Sequence, residues 1–576
     1  MKYKHFILFL LLIAGITELQ AQQLPHVLTP AEKLAAPAYF GSKTASPNAI
    51  TTPPASPVRT IAEWEELQGF TITWTSYQSM LKEIVRYAKE ETRVYIICSN
   101  ASTVINYLAS YNIDTVNVTC LQIPYNSVWS RDYGLWSAYT NVVDTLITVD
   151  WIYNRPRPLD DAIPAALATQ LNTPFYETSV NPWNLIHTGG NFMTDGFGTG
   201  FSSKLILDEN PSKTEAQIDT IMNRFMGIER YIKMDKLPYD VIHHIDMHMK
   251  LLDEETILMG EYPAGIADGP QIEANLLYVI NNFYSVYGAP YKVIRIPMPP
   301  DNGQFPNTTG DYFTYTNSSF INKTIIVPTY GIPEDTTALR IYREALPGYN
   351  VVGINSLASI GALGALHCIT KEIGTADPLL ISHQPLPDTY DDVNPYIVPA
   401  YMKHRSGIAT ATLYYRTDTT QPYIQVSMIQ SSNPDYQIGA IPPQAVGTTI
   451  YYYVEGVAVS GKQQVRPMPA PDGYWKFKVL GAVGIEEENL AILPKAPFPN
   501  PASAITCLPV TGKVGEKIRI SIQNASDQHI TTVFDGEMRA IDSHYFIDAS
   551  QLSSGAYLIT YETNYGIHHQ KLMVSH

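Results

Sequence analysis

From Leu81 to Ile354 the chain alternates between two hydrophobic spacings. Leu81 to Ala88 and Val104 to Ser110 repeat apolar positions at three and four residues, which predicts helices. Arg93 to Cys98, Thr115 to Cys120 and Thr148 to Tyr153 are β-rich runs bounded by polar residues. The same exchange recurs at Glu215 to Met226, Gln271 to Ile280, and Thr337 to Leu346 followed by Tyr349 to Ile354. Helical and extended segments in alternation predict an α/β domain, placed over residues 61–385. After His383-Gln-Pro-Leu-Pro-Asp388 the helical period disappears. Short β-runs at Ala409 to Tyr415, Tyr423 to Met428 and Thr449 to Glu455 predict an immunoglobulin-like β-sandwich over residues 386–482. A Pro-rich joint, Leu493-Pro-Lys-Ala-Pro-Phe-Pro-Asn-Pro501, opens a final β-rich domain within residues 490–576.

The amino terminus has a different pattern. Met1-Lys-Tyr-Lys-His5, an apolar run from Phe6 to Ile16 and Leu19-Gln-Ala21 form the three parts of a secretory signal peptide, with cleavage expected after Ala21. The run is too short to span a bilayer, so no stable membrane span is expected. Residues 22–60 are rich in Pro, Ala, Ser and Thr and read as a linker or pro-segment, with order expected to begin near Ile61.

Composition narrows the partners. The chain has 38 basic against 54 acidic residues, a net charge of −16, which argues against nucleic acid because no basic stripe offsets phosphate repulsion. Four cysteines, Cys98, Cys120, Cys368 and Cys507, are too few and too dispersed for a disulfide framework. Cys98 and Cys120, each ending a strand-like run, are expected either to be neighbours or to be buried separately.

One cysteine carries the chemistry. Cys368 lies in Gly361-Ala-Leu-Gly-Ala-Leu-His-Cys-Ile-Thr-Lys-Glu372, and upstream stand Trp129-Ser-Arg-Asp132, His244-Ile-Asp246 and Tyr315-Thr-Asn317. A thiolate is a strong nucleophile that needs a base or cationic neighbour, and His244 supplies an imidazole for acid and base steps. On a strand, His244 and Asp246 would share a face. Two carboxylates, Asp132 and Asp246, exceed what an amide or ester requires, yet they match the planar donor fork of a guanidinium. His243-His244-Ile-Asp246-Met-His248 holds enough ligand-type side chains to raise zinc, but strand spacing would not close a tetrahedron around it. His367 is expected on the opposite face from the nucleophile, packed rather than catalytic. The local signature of a papain-like protease is absent, and Gly189-Gly-Asn191 reads as a tight turn because it lacks a Walker-type Lys-Ser/Thr pair.

Together Trp129-Ser-Arg-Asp132, Thr188-Gly-Gly-Asn-Phe-Met-Thr-Asp-Gly196, His244-Ile-Asp246 and Leu366-His-Cys368 resemble the bacterial Porphyromonas-type peptidylarginine deiminase and agmatine deiminase family. The resemblance implies a pentein fold, a five-bladed α/β propeller of ββαβ units with its site on the central axis. It implies Cys368 as nucleophile, His244 as acid and base, Asp132 and Asp246 as guanidinium holders, and Asn317 as a polar contact near the reacting centre. No metal or cofactor is needed for that chemistry.

Within the resemblance, Trp129 counts among the substrate contacts, and Arg155 and Arg157 of Asn154-Arg-Pro-Arg157 are implied to bind the free carboxylate of a C-terminal arginine. As an arbitrary pair they would be exposed charges on a solvated loop. The expected reaction converts a peptidyl arginine guanidinium to citrulline and ammonia through a covalent thiouronium. Two alternatives are agmatine deimination to N-carbamoylputrescine, which serves putrescine biosynthesis, and an inactive secreted binding scaffold. Phe498-Pro-Asn-Pro-Ala-Ser503 and the β-rich close resemble type IX secretion sorting tails, which implies that machinery as a partner and a secreted or cell-surface location.

Overall fold

Five sheets built on one plan account for the alternation of helical and extended spacing. The computed structural model describes residues 24–263, 268–300, 312–481, 493–497, 500–502, 505–526, 528–538, 542–564 and 566–575. The expected signal peptide, and Phe498, Pro499 and Ser503 of the sorting motif, lie outside the described residues.

In each sheet an antiparallel pair is followed by a helix and a parallel strand. Met249–Leu251 pairs antiparallel with Thr256–Glu261, the helix Gly269–Asn282 crosses over, and Lys292–Pro297 returns parallel. The same sequence of elements runs through Ser319–Ile321, Thr324–Thr329, Glu334–Ala345 and Asn350–Asn355. It runs again through Met193–Thr194, Thr199–Ser203, Glu215–Met226 and Arg230–Met234. A further sheet joins Trp136–Thr140, Leu146–Tyr153 and Phe175–Thr178 around the helix Ile163–Leu171. In the last, Leu67–Thr73 and Arg93–Ile97 flank the helix Gln78–Glu91, and the antiparallel partner Lys371–Gly374 comes from the other end of the domain. That pairing closes the set of sheets on itself.

The helices form because their apolar residues fall on one stripe. Gln78–Glu91 buries Met80, Leu81, Ile84, Val85 and Ala88, a three-and-four spacing that lays one face on the sheet. Glu215–Met226 starts with a Thr214/Gln217 capping box and ends at Gly227, whose φ of 70° lies in the left-handed region.

Beyond residue 379, two antiparallel sheets share one core of Val398, Met402, Leu413, Ile450, Tyr452, Val454 and Phe477. Tyr396–Lys403 alternates buried and exposed residues, as a strand with one face on that core must. Arg466 Nη1 donates to the Trp64 carbonyl at 2.6 Å and Lys462 pairs with Glu66 at 2.7 Å, which ties these sheets to the α/β part. The described residues from Ile505 onward form antiparallel strands around Leu508, Ile520, Ile559 and Leu572.

Three expectations need correction. Order does not begin near Ile61, because the segment expected to be a linker carries a helix, Pro30–Gly41. It lacks a buried apolar face, which is why hydrophobic spacing does not announce it. Local terms stabilise it instead: four alanines, Pro30 in the first turn, and a Thr29/Glu32 capping box with both bonds formed. Second, His244 and Asp246 are not on a strand; His244 precedes the 3₁₀ turn Ile245–Met247. Third, His367 is not on an extended segment but opens the 3₁₀ turn His367–Ile369.

Candidate active site

Each sheet's first strand is preceded by a short turn, and these turns carry the polar residues. Ser130–Tyr133 stands before Trp136, Gly189–Asn191 before Met193, Ile245–Met247 before Met249, Asn317 before Ser319, and His367–Ile369 before Lys371. A turn leaves backbone N–H groups unpaired and can aim its side chains off the sheet. Side chains distant in sequence therefore converge.

Cys368 is fully buried, with Sγ 3.2 Å from Asn317 Nδ2 and 3.8 Å from Asp246 Oδ2. Asn317 Oδ1 accepts from the backbone N–H groups of Ala365, His367 and Cys368 at 3.2, 3.0 and 3.4 Å. One amide therefore fixes the turn that carries the thiol and also donates to the sulfur. Burial, followed by the charges of Asp246 and Asp132, pushes the Cys368 thiol well above its ordinary range.

The two carboxylates are held differently. Asp246 Oδ2 accepts from His367 Nδ1 at 2.7 Å, while Oδ1 is buried without a partner among the described residues. His367 Nε2 in turn reaches Glu63 Oε1 at 2.8 Å, and Lys250 pairs with the same Glu63. The sequence reading had His367 facing away; the 3₁₀ turn rotates its ring onto Asp246. Asp132 Oδ1 accepts from the Gly190 N–H at 3.3 Å and lies 3.6 Å from His244 Nδ1. Burial opposes the charged form of Asp132, but His26 and His244, with Arg155 beyond them, override it and hold the carboxyl below its usual range. Burial lowers His244 to about 4, so its imidazole is neutral near pH 7.

Gly190 is a position where only hydrogen fits. A Cβ there would stand 2.4 Å from His244 Nδ1 and 3.2 Å from Asp132 Oδ1. The neighbouring Arg131, fully buried, pairs with Glu372 at 2.7 Å and so braces the turn of Asp132 against the strand that follows Cys368.

Arg155 and Arg157 are buried, not exposed on a solvated loop. They follow the strand Leu146–Tyr153, and their donors meet residues 24–32. Arg157 Nε bonds Glu32 Oε1 at 2.7 Å, Arg157 Nη2 bonds the Pro25 carbonyl at 2.6 Å, and Arg155 Nε bonds the His26 carbonyl at 3.1 Å. Trp129 Nε1 donates to the Leu24 carbonyl at 3.1 Å. His26 is fully buried, stacks on Trp129 at 4.1 Å with rings 6° apart, and places Nε2 2.6 Å from Asp132 Oδ2.

His26, Asp132 and His244 bring three ligand-type atoms within 4.8 Å of one another. The 2.6 Å separation of His26 and Asp132 is a hydrogen bond. Two ligands on one tetrahedral zinc, with bonds of ~2.0 Å, stand about 3.3 Å apart.

The structure thus brings together Cys368, Asp246, Asn317 and His367, and around Asp132 it gathers His244, Trp129 and Gly190. Sequence reasoning missed Glu63 and His26, which carry no local motif, and gave no role to Arg131, although it stands inside Trp129-Ser-Arg-Asp132. Cys98 and Cys120 are unbridged and stand on adjacent chain segments, with Ile96 registered against Cys120 and the Cys98 N–H donating to the Leu121 carbonyl at 2.9 Å.

Comparison with known proteins gives two family matches. Residues 59–373 match the Porphyromonas-type peptidyl-arginine deiminase family, and residues 496–575 match the secretion system C-terminal sorting domain. A Legionella pneumophila (strain Paris) protein named for agmatine deiminase is 23% identical over 327 residues, covering 54% of this chain and 88% of its own. A solved structure also named for agmatine deiminase superposes with a TM-score of 0.51 at 17% identity, over 57% of this chain and 99% of the other. The agmatine deiminase of Enterococcus faecalis gives 0.49 at 18% identity, over 57% and 100%.

Proposed function

The chain belongs to the Porphyromonas-type peptidyl-arginine deiminase family, and from that premise we propose that it hydrolyses the guanidinium of a C-terminal arginine in peptides, releasing ammonia and leaving citrulline. The observation that carries this reading is Asp246. One of its oxygens lies 3.8 Å from the thiol, and the other is buried without a partner among the described residues. A buried acceptor left open beside a nucleophile costs stability unless a donor cation enters. With the Asp132 carboxylate as a second negative charge acting on the same thiol, the cation that fits is planar and has several N–H groups.

The resting thiol is protonated because the two carboxylates and burial oppose its anion. Entry of a guanidinium neutralises that field and favours the thiolate. His244, neutral at working pH, takes the thiol proton. The sulfur adds to the guanidinium carbon, His244 returns the proton to one nitrogen, and the C–N bond breaks to release ammonia. Water, deprotonated by His244, then adds to the thiouronium carbon. The C–S bond breaks and expels the thiolate, the hydroxyl proton of the adduct passes to the released ammonia as ammonium, the His244 imidazolium returns its proton to the sulfur, and a neutral ureido group remains.

Arg155 and Arg157 support a free carboxylate on the substrate, since Arg157 already holds the Glu32 carboxylate. Agmatine has no such group, and two buried cations repel its relatives. The five like sheets support the reading of a five-bladed propeller with the site at its axis. The sorting-domain match supports export and a surface or secreted location. Among the described residues no helix is long and apolar enough to cross a membrane.

The test is ureido-group formation on three substrates: a peptide ending in arginine, its C-terminal amide, and agmatine. Turnover is expected on the free-carboxylate peptide and none with Cys368→Ala. Turnover of agmatine alone would overturn the substrate assignment, and an active Cys368→Ala would overturn the mechanism.

A further inference from the structure

The guanidinium site already holds an occupant, and it comes from the same chain. Three consecutive carbonyls, of Leu24, Pro25 and His26, are read by Trp129 Nε1, Arg157 Nη2 and Arg155 Nε. The side chain of His26 goes where those contacts aim it, between Trp129 and the edge of His244, whose ring centroid is 4.9 Å away. His26 Nδ1 lies 2.7 Å from the Leu363 carbonyl and Nε2 lies 2.6 Å from Asp132. A carbonyl only accepts, so Nδ1 donates. The Asp132 carboxylate offers a second acceptor, to Nε2. The ring thus sets both of its nitrogens against acceptors, and it has the flat shape and the outward-pointing nitrogens of the guanidinium it displaces. The Glu32 carboxylate sits on Arg157 as a substrate's terminal carboxylate would.

The occupant is anchored outside the site as well. The capping box of Thr29 and Glu32 begins the helix Pro30–Gly41, so the residue that satisfies Arg157 also nucleates the helix that holds it there. Further along, Tyr39 and Lys43 bond Asp161, Ser46 bonds Glu177 at 2.8 Å, and Ile50 bridges to Tyr176. Tethering gives such a segment an effective concentration of order millimolar, enough for weak contacts to exclude a dilute substrate.

We propose that residues 24–32 are an internal pseudosubstrate that closes the catalytic cleft until the amino-terminal segment is cut away, and that the cleft recognises a peptide main chain together with a carboxylate. This rests on the deiminase reading only for the identity of the cation displaced. The connection beyond the helix is exposed at Thr44 and Ala45, so a specific protease site inserted between them allows cutting after folding. The protein lacking residues 1–21 is compared before and after the cut, with dilution to release the segment. Two readouts are taken: alkylation of Cys368 by iodoacetamide, followed by mass spectrometry, and ureido formation.

Both rates are expected to rise by at least about tenfold on cutting, because the apparent rate scales with the fraction of open sites. Added free peptide of residues 22–44 should reverse the gain, and His26→Ala in the uncut chain should reproduce much of it. An uncut chain that reacts as fast as the cut one, in both readouts, would overturn the proposal. So would a gain that added peptide does not reverse. Faster alkylation without any ureido product would instead leave the closure standing and sink the deiminase reading.

Discussion

At the scale of single residues, the site is organised by charges that only a cation reconciles. Burial and the two carboxylates all favour the protonated form of the Cys368 thiol, the nucleophile proposed above. A cationic electrophile should relieve that penalty while it reacts. We expect a chloroacetamidine to alkylate Cys368 at least about tenfold faster than the neutral chloroacetamide of equal size, a gain worth ~1.4 kcal/mol, in the cut protein. Asp132→Asn and Asp246→Asn should each erase most of that preference; equal rates in the unsubstituted protein would remove the carboxylates from the chemistry. His367 presents both ring nitrogens to carboxylates, those of Asp246 and Glu63. His367→Asn should lose a charge-assisted bond worth about 1.5–3 kcal/mol, seen as a raised KM for the guanidinium substrate. A fall in Tm with unchanged KM and kcat would mean the ring only packs. The thiol, the imidazole and the two carboxylates of the proposed site could be picked from the sequence because the proposed chemistry demands those residue types. His367 was misjudged because a 3₁₀ turn, unlike a strand, does not send adjacent side chains to opposite faces.

At the scale of elements, the turn before each sheet matters more than the sheet. The positions 132, 190, 246, 317 and 368 recur at intervals of 51 to 71 residues, one turn per repeat. That period is a signal that the sequence carried and that motif-by-motif reading passed over. The turns are tight enough to exclude even a methyl group: Gly190→Ala would drive Cβ into His244. Overpacking of this kind costs roughly 1–3 kcal/mol. We expect Gly190→Ala to keep the fold, by circular dichroism, and to lose at least about 90% of kcat/KM, since ~1.4 kcal/mol at His244 or Asp132 is already tenfold. Unimpaired activity would show that the turn gives way without moving the imidazole. The long helices were legible because each shows an apolar stripe; Pro30–Gly41 was not, since its stability is local and its partners are polar.

For the whole molecule, the pairing of Lys371–Gly374 with Leu67–Thr73 joins the two ends of the catalytic domain, and the Arg131–Glu372 ion pair stands at that closure. Burial alone would raise the Glu372 carboxyl, but Arg131 and Lys371 override it and hold it at about 2, below its ordinary 4.5. A depressed carboxyl contributes stability that is present above pH 4.5 and lost as pH falls toward 2. Glu372→Gln should therefore flatten the acid limb of Tm against pH. It should also lower Tm near neutrality, because removing one partner of a buried pair costs about 3–5 kcal/mol. An acid limb of unchanged slope would assign acid sensitivity to other carboxylates.

The sequence by itself determined the α/β alternation, the later β-rich regions and the chemical types of the site residues. Periodicity, turn composition and nucleophile chemistry are properties of nearby residues. Only the tertiary structure decided that Asn317 and Asp246 meet Cys368, that His244 and His26 meet Asp132, and that Glu63 stands behind His367. Those contacts span 50 to more than 300 residues. They are fixed by how the sheets close on one another and by the cost of leaving a buried charge unpaired, and neither is written in any local stretch of the chain.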